Sequence, residues 1–169
     1  DEPSATSDSS GNFSLVDNLG ACSSPGLCDV PFFSIGGTDT STGAELDGLV
    51  LAGFPDGESK SVITPLSSIV ALSDNSDAIP FRLGIELPPN QLLLVDPWAG
   101  SEQGDEDSIS IQNTNQKLAL IALTVGSLND SGRASFESLV QQLGDLSVIG
   151  RINLDSPSDL AIIVEQSTA

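Results

Sequence analysis

Carboxylates are the residues of this chain best suited to chemistry, and they are densest between residues 102 and 107. Glu102 shortly precedes the run Asp105-Glu106-Asp107. Ca²⁺ binds about six to eight oxygen atoms, which neighbouring carboxylates and backbone carbonyls can supply. This stretch therefore predicts a calcium site made by Glu102, Asp105, Glu106 and Asp107. The alternative is that Asp105 caps a helix on an exposed turn, because the ligand order of an EF-hand does not occur here.

A second set of oxygen ligands comes earlier in the chain. Asp39, Glu45 and Asp47 flank a stretch rich in Thr, Ser and Gly, whose hydroxyls and carbonyls add further oxygens. This set is a second candidate for a cation site, no stronger than the first.

The single Trp of the chain is Trp98, which follows Asp96-Pro97. An exposed indole ring would bind a peptide or a carbohydrate by stacking. Sugar-binding surfaces usually combine several aromatic rings, and the chain has no Tyr. The alternative is therefore that Trp98 is a partly buried wedge that packs after the turn.

Cys22 and Cys28 are the two cysteines, and Pro25 and Gly26 lie in the short loop between them. Pro and Gly favour a reversal of the chain, so the spacing predicts a disulfide and an oxidising, exported setting. Two free thiols in a loop are the alternative. A zinc site is excluded because no other Cys and no His can complete it.

The composition excludes several classes of function. Because the chain lacks His, it cannot have a catalytic triad or a metal site based on imidazole. Its 24 Asp and Glu against five Lys and Arg give a net charge of −19, which disfavours binding to nucleic acids and anionic lipids. No apolar run is long enough to insert into a membrane. The chain starts at Asp1 rather than Met, so we expect a mature or excised segment.

The elements that must position these residues change in type along the chain. Short apolar stretches at residues 13–16, 31–35 and 46–54, separated by turns, predict three or four strands. Beyond residue 64 the apolar residues recur every three or four positions, which predicts four or five helices. The sequence thus predicts an α+β fold with a small N-terminal β-sandwich-like part (residues 1–58) and a C-terminal helical bundle (residues 59–169).

Two helix starts, a capped turn and a common core follow from this pattern. We expect helices to begin after Thr64 and Ser156, because each precedes a Pro at the first helical position, and we expect Asp96 to cap a turn that begins at Pro97. We expect a long helix over about residues 107–127 and an antiparallel neighbour over 133–143. The residues expected to form one apolar core are Leu66, Ile69, Val70, Leu118, Ile121, Val125, Phe136, Leu139, Leu143, Leu160 and Ile163.

Several short motifs resemble a known group of proteins. Residues 8–15 (DSSGNFSL) resemble the hairpin of prealbumin-like or carboxypeptidase-regulatory-like β-sandwich modules. Residues 37–43 (GTDTSTG) and 62–70 (VITPLSSIV) then follow in an order similar to that in very large exported, adhesin-like proteins of marine and aquatic bacteria. The resemblance runs from residue 8 to about 128, and the cysteine loop departs from it.

The resemblance implies a multidomain surface protein that is often calcium-dependent, and it implies no catalytic residues. We therefore expect a non-enzymatic structural or interaction module, extracellular or on the cell surface. Its partners would be neighbouring domains of a longer chain, and a surface peptide or glycan is a further candidate. The alternative function is a surface-displayed module that binds a peptide or a carbohydrate.

Overall fold

The computed structural model describes residues 4–14, 32–38, 43, 45, 50–53, 62–129, 140–141, 143 and 150–167. Within these residues the chain is mostly helical. The elements are β1 (Phe32–Ile35), β2 (Val50–Gly53), α1 (Pro65–Leu72), α2 (Ala78–Leu83), α3 (Pro89–Leu92), α4 (Pro97–Glu102), α5 (Glu106–Asn129) and α6 (Pro157–Ser167). Residues 140, 141 and 143 are also helical.

The predicted α+β fold with a β-sandwich-like N-terminal part is wrong. The described residues contain a single sheet of two antiparallel strands, in which Phe32 pairs with Gly53 and Ile35 pairs with Val50. A sandwich needs a second sheet to cover the inner face of the first. Here β2 packs on helix α1 instead, and most of β1 is exposed. The sheet is therefore an attachment to the helical part and does not enclose a core of its own.

The individual strands were predicted with mixed success. The apolar stretches at residues 31–35 and 46–54 contain β1 and β2, respectively. The stretch at 13–16 is not confirmed: residues 13 and 14 have no regular structure, and residues 15 and 16 lie outside the described part. Phe13 instead packs edge-on against Phe32, with ring centroids 5.7 Å apart.

Contact between β2 and α1 joins the two parts that the sequence separated. The backbone N–H of Ala52 donates to Ser68 Oγ at 3.1 Å. Ser68 Oγ in turn donates to the carbonyl of Thr64 at 2.6 Å, and both Ala52 and Ser68 are buried. The predicted boundary between residues 58 and 59 lies outside the described residues, but the strand before it and the helix after it share an interface.

Both predicted helix starts occur at their capping residues, and the turn predicted after Asp96 is the first turn of helix α4. Thr64 Oγ1 accepts from the N–H of Ser67, and Ser67 Oγ accepts from the N–H of Thr64, which completes a capping box ahead of Pro65. Asp96 accepts from the N–H groups of Trp98 and Ala99 at the start of α4. Ser156 Oγ accepts from the N–H of Asp159 at the start of α6.

One apolar cluster connects the helices, as the periodicity predicted. Leu118 and Ile121 of α5 are buried in the same cluster as Leu143, and Leu160 packs against this cluster while half-buried. The cluster also contains Leu66, Ile69, Val70, Ile79, Ile85, Leu92, Ile111, Ala122, Val140 and Ile163. Phe136 and Leu139 lie outside the described residues, and so does the side chain of Val125.

Asn115 and Arg82 are buried polar side chains that link elements distant in sequence. Asn115 of α5 is 3% exposed, and its Oδ1 accepts from the N–H of Leu66 in the first turn of α1 at 2.8 Å. Arg82 of α2 donates through its guanidinium to the carbonyl of Leu143, and its own carbonyl accepts from the N–H of Ile152. These bonds fix which turns of the helices lie opposite one another, because each joins a specific pair of groups.

A matched pair of substitutions on α5 tests this core. Leu118 is fully buried, whereas Leu120, two residues away, is 66% exposed. Leu118→Ala should lower the free energy of unfolding by about 2–5 kcal/mol, because it removes buried methyl groups and leaves a cavity. Leu120→Ala should change it by less than about 0.5 kcal/mol. Equal midpoints of the two variants in urea would contradict the orientation of α5.

Candidate functional site

The predicted calcium ligands lie at the connection between α4 and α5. Gly104 adopts a left-handed conformation with φ 78° and follows Gln103, the C-cap of α4. The N–H groups of Gly104 and Asp105 donate to the carbonyls of Ser101 and Gly100, respectively, which is the hydrogen-bond pattern of a Schellman motif. Helix α5 begins at Glu106, so the acidic stretch ends one helix and starts another.

Asp105 is the N-cap of α5, which is the alternative interpretation of the acidic stretch. Its Oδ2 accepts from the backbone N–H of Ser108 at 2.8 Å. Hydrogen bonds from the Ser108 hydroxyl and from its backbone N–H hold the pKa of Asp105 below the ordinary value of 3.8. The carboxylate is therefore charged at neutral pH and already used as a hydrogen-bond acceptor.

Close contact between α4 and α5 fixes this connection. Ser108 is buried, and a Cβ added at Gly100 would overlap its hydroxyl. Glycine is required at position 100 because any side chain would separate the two helices. The connection is thus held by packing beneath it as well as by the hydrogen bonds of Asp105.

The other three predicted calcium ligands are exposed. Glu102 is the last residue of α4, whereas Glu106 and Asp107 form the first turn of α5. Among the described residues, no group of three or more acidic side chains is arranged to hold a metal ion. Glu106 and Asp107 instead lie at the positive end of the α5 dipole, where negative charge is favourable.

The second predicted cation site cannot be assembled from the described residues. Asp39 and Asp47 lie outside them. Glu45 is exposed, and its backbone pairs with that of Thr38 in an isolated antiparallel bridge. Cys22 and Cys28 also lie outside the described residues, so their disulfide remains a prediction.

Trp98 lies in the first turn of α4, where its indole ring is 45% exposed. The Asp96 side chain accepts from its backbone N–H, and the Ser101 hydroxyl donates to its carbonyl. Within the described part of the chain, the only aromatic pair is Phe13 with Phe32, so no second ring extends the surface of Trp98. Trp98 is therefore about half-exposed. The sequence left open an exposed ring that stacks on a ligand and a partly buried wedge, and this exposure does not decide between them.

A cleft that the sequence analysis missed lies between α5 and the segment after α2. It has a volume of about 190 Å³ and is lined by residues 84–87 together with Asp107, Ser110 and Ile111. Ile85 and Ile111 are buried and provide apolar surface, whereas Glu86 and Asp107 are exposed. Among the described residues, neither carboxylate has an ion-pair partner. The signal in the sequence is weak, because Glu86 and Asp107 are 21 positions apart and belong to different elements.

Among the described residues, one cationic group lies close to this cleft. Arg151 stands beside Gly84, and its guanidinium lies 5.9 Å from the centre of the Phe81 ring. Lys117 lies further along α5 and pairs with Asp155 at 2.7 Å. Of the described residues that line the cleft, two are carboxylates and none is basic, so the wall that they form is negative.

Comparison with known proteins gives no assignment. No protein-family model, curated protein or solved structure matches this chain. In the described residues, no helix is both long enough and apolar enough to cross a membrane.

The cap formed by Asp105 should make stability depend on pH. Asp105→Ala should lower the free energy of unfolding at pH 7 more than Glu102→Ala does, because Glu102 caps no helix. A lowered pKa stabilises the folded state above 3.8, and this contribution disappears as the pH falls through the lower folded value. The difference between the two variants, measured in urea, should therefore shrink towards pH 2. A difference independent of pH would contradict a role for the charged cap.

Calcium binding is tested by comparing two salts. Both NaCl and CaCl₂ should raise the melting temperature, because ions screen the repulsion within a chain of net charge −19. If the predicted calcium site exists, CaCl₂ should raise the melting temperature more than NaCl does at equal ionic strength. This additional increase should disappear in the four-fold variant Glu102→Gln, Asp105→Asn, Glu106→Gln, Asp107→Asn. Equal melting temperatures in the two salts would exclude a specific site of useful affinity.

Proposed function

We propose that this chain is a non-enzymatic interaction module of a large exported bacterial surface protein. Its main support is the location of the negative charge. Every described Asp and Glu lies at the surface: Asp159 is half-buried, and the others are exposed. The interior is formed by apolar side chains and a few hydrogen-bonded polar ones.

This distribution favours an interaction module over a hydrolase. A hydrolase without His would depend on carboxylates, one of which must keep its proton at neutral pH. Burial in an apolar pocket is the usual way to raise the pKa of such a group. The shifts at Asp8 and Asp105 instead lower the pKa, because backbone N–H groups and, at Asp105, the Ser108 hydroxyl donate to them.

The charge also suits an exported protein. Solvated carboxylates keep a protein soluble and repel copies of itself, and high ionic strength screens the repulsion within the chain. The resemblance of short motifs between residues 8 and 128 to adhesin-like proteins also supports this proposal. It favours a module that contacts neighbouring domains, at the cell surface or outside the cell.

Surface exposure is tested on intact cells of the source organism. An antibody against the chain should bind to unbroken cells, and an added protease should remove the signal. A cytosolic protein followed in the same samples should stay inaccessible until the cells are lysed. Detection of the chain only after lysis would contradict the proposed location.

A surface-displayed ligand-binding module is the second candidate, and the half-exposed ring of Trp98 favours it. The whole chain should then bind members of a glycan array or a peptide array, and Trp98→Ala should abolish the binding. Phe81→Ala is the matched control, because Phe81 is also an exposed aromatic residue on a short helix. Binding that survives Trp98→Ala, or that both variants lose equally, would exclude this role of Trp98.

A further inference from the structure

We propose that the cleft between residues 84–87 and α5 binds a lysine or arginine side chain presented by a partner protein. The inference rests on the proposed function as an interaction module and adds the chemistry of the contact. Three features of the cleft carry it: its shape, its apolar surface and the charge of its walls.

Ile85 and Ile111 give the cleft a small apolar patch, which can contact the aliphatic stem of a basic side chain. The cleft of about 190 Å³ is open to solvent and contains surface from Ile85 and Ile111, which are 8% and 4% exposed. Both residues belong to the main apolar cluster, so the surface that they offer is held in place by the core. Lysine and arginine cover apolar surface with their methylene groups while the charged end stays near polar groups.

The charge of the walls selects a cation over an uncharged ligand. Glu86 and Asp107 contribute from two different elements, and Ser110 adds a hydroxyl one turn after Asp107. In the described part of the chain neither carboxylate makes a hydrogen bond or an ion pair, so both are available to a partner. A basic group placed between them gains attraction from each, and the net charge of −19 steers such a partner towards the chain.

The backbone makes the cleft rigid at both sides. Gly84 ends α2 in a left-handed conformation with φ 71°, and the N–H of Ile85 donates to the carbonyl of Pro80 at 2.8 Å. On the other side, Asp107 lies in the first turn of α5, which the cap formed by Asp105 stabilises. A preformed site binds with less loss of conformational freedom than one that must be ordered.

The experiment uses the complete 169-residue chain, labelled with ¹⁵N, and two small probes at millimolar concentration. Nα-acetyl-lysine methylamide and Nα-acetyl-arginine methylamide, whose side chains stay charged, should each shift the amide signals of residues 84–87 and 107–111 in a saturable way. N-acetyl-norleucine methylamide has a similar stem without the charge and should bind at least about tenfold more weakly. Equal shifts from the norleucine compound would show that only apolar contact matters and would overturn the proposal.

Two double variants locate the binding. Glu86→Gln with Asp107→Asn should weaken the binding of the lysine probe by about tenfold or more, because both wall charges are lost. Asp74→Asn with Asp77→Asn removes the same charge from exposed positions outside the cleft and should leave the affinity within about twofold. Equal losses in the two variants, or shifts outside residues 84–87 and 107–111, would mean that the probe responds to overall charge and would overturn the proposal.

Failure of this proposal and failure of the proposed function give different results. A chain that is exposed on intact cells but does not bind the lysine probe remains a surface module whose contact lies elsewhere. Binding by a chain that is detected only after lysis would keep the cleft and contradict the cellular location. Thermal unfolding of each variant checks that the fold is retained.

Discussion

The buried face of α5 is the constraint on which the rest of the described structure depends. Ile111, Asn115, Leu118 and Ala122 recur at spacings of four, three and four, and they form one stripe along the helix. Helix α1 packs against α5, and the Asn115 side chain binds the N–H of Leu66. The apolar stripe supplies the attraction, whereas the single polar bond selects the turn of α1 that faces it. Burying Asn115 without this bond would be costly, so the two helices have one preferred register.

Other elements are attached to this pair in distinct ways. The two-stranded sheet is joined to α1 through Ala52 and Ser68, and α4 approaches α5 closely at Gly100. Helix α6 contributes Ile163 to the core, and Lys117 on α5 pairs with Asp155 ahead of α6. This arrangement uses the apolar residues for the interior and leaves the carboxylates at the surface. At the surface, the cleft beside Glu86 and Asp107 combines negative charge with a small apolar patch from two core residues.

Local signals made the helices predictable from the sequence. Thr64 precedes a proline and accepts a backbone N–H group, so adjacent residues specify the start of α1. Asp96 has the same features, but the sequence predicted only a turn where α4 begins. The core of Leu66, Leu118 and Leu143 was predictable as well, because helical periodicity identifies the buried face even when the partner helix is distant in sequence. Asp105 had two interpretations, and the hydrogen bond to Ser108 establishes the cap.

Long-range features were not predictable in the same way. The short apolar stretches predict strands but not what covers them, and here helix α1, rather than a second sheet, covers β2. No feature of the sequence distinguishes Asn115 from the exposed polar residues of α5, although its side chain is buried against the first turn of α1. The cleft escaped detection for the same reason: residues 84–87 and Asp107 meet only after α2 and α5 have packed.

Hydrogen exchange at the amide of Leu66 tests the central claim most directly. Amides in the first turn of a helix lack an intrahelical partner and normally exchange fast, so the protection of Leu66 depends on Asn115 and on burial. Measured by NMR, the Leu66 amide should exchange as slowly as that of Leu118, whereas the amide of Asp107, in the exposed first turn of α5, should exchange quickly. In the Asn115→Ala variant, Leu66 should lose its protection relative to Leu118, and Asn113→Ala, an exposed change on the same helix, should leave it unchanged. Exchange of Leu66 as fast as that of Asp107 in the unaltered chain would contradict the packing of α1 on α5.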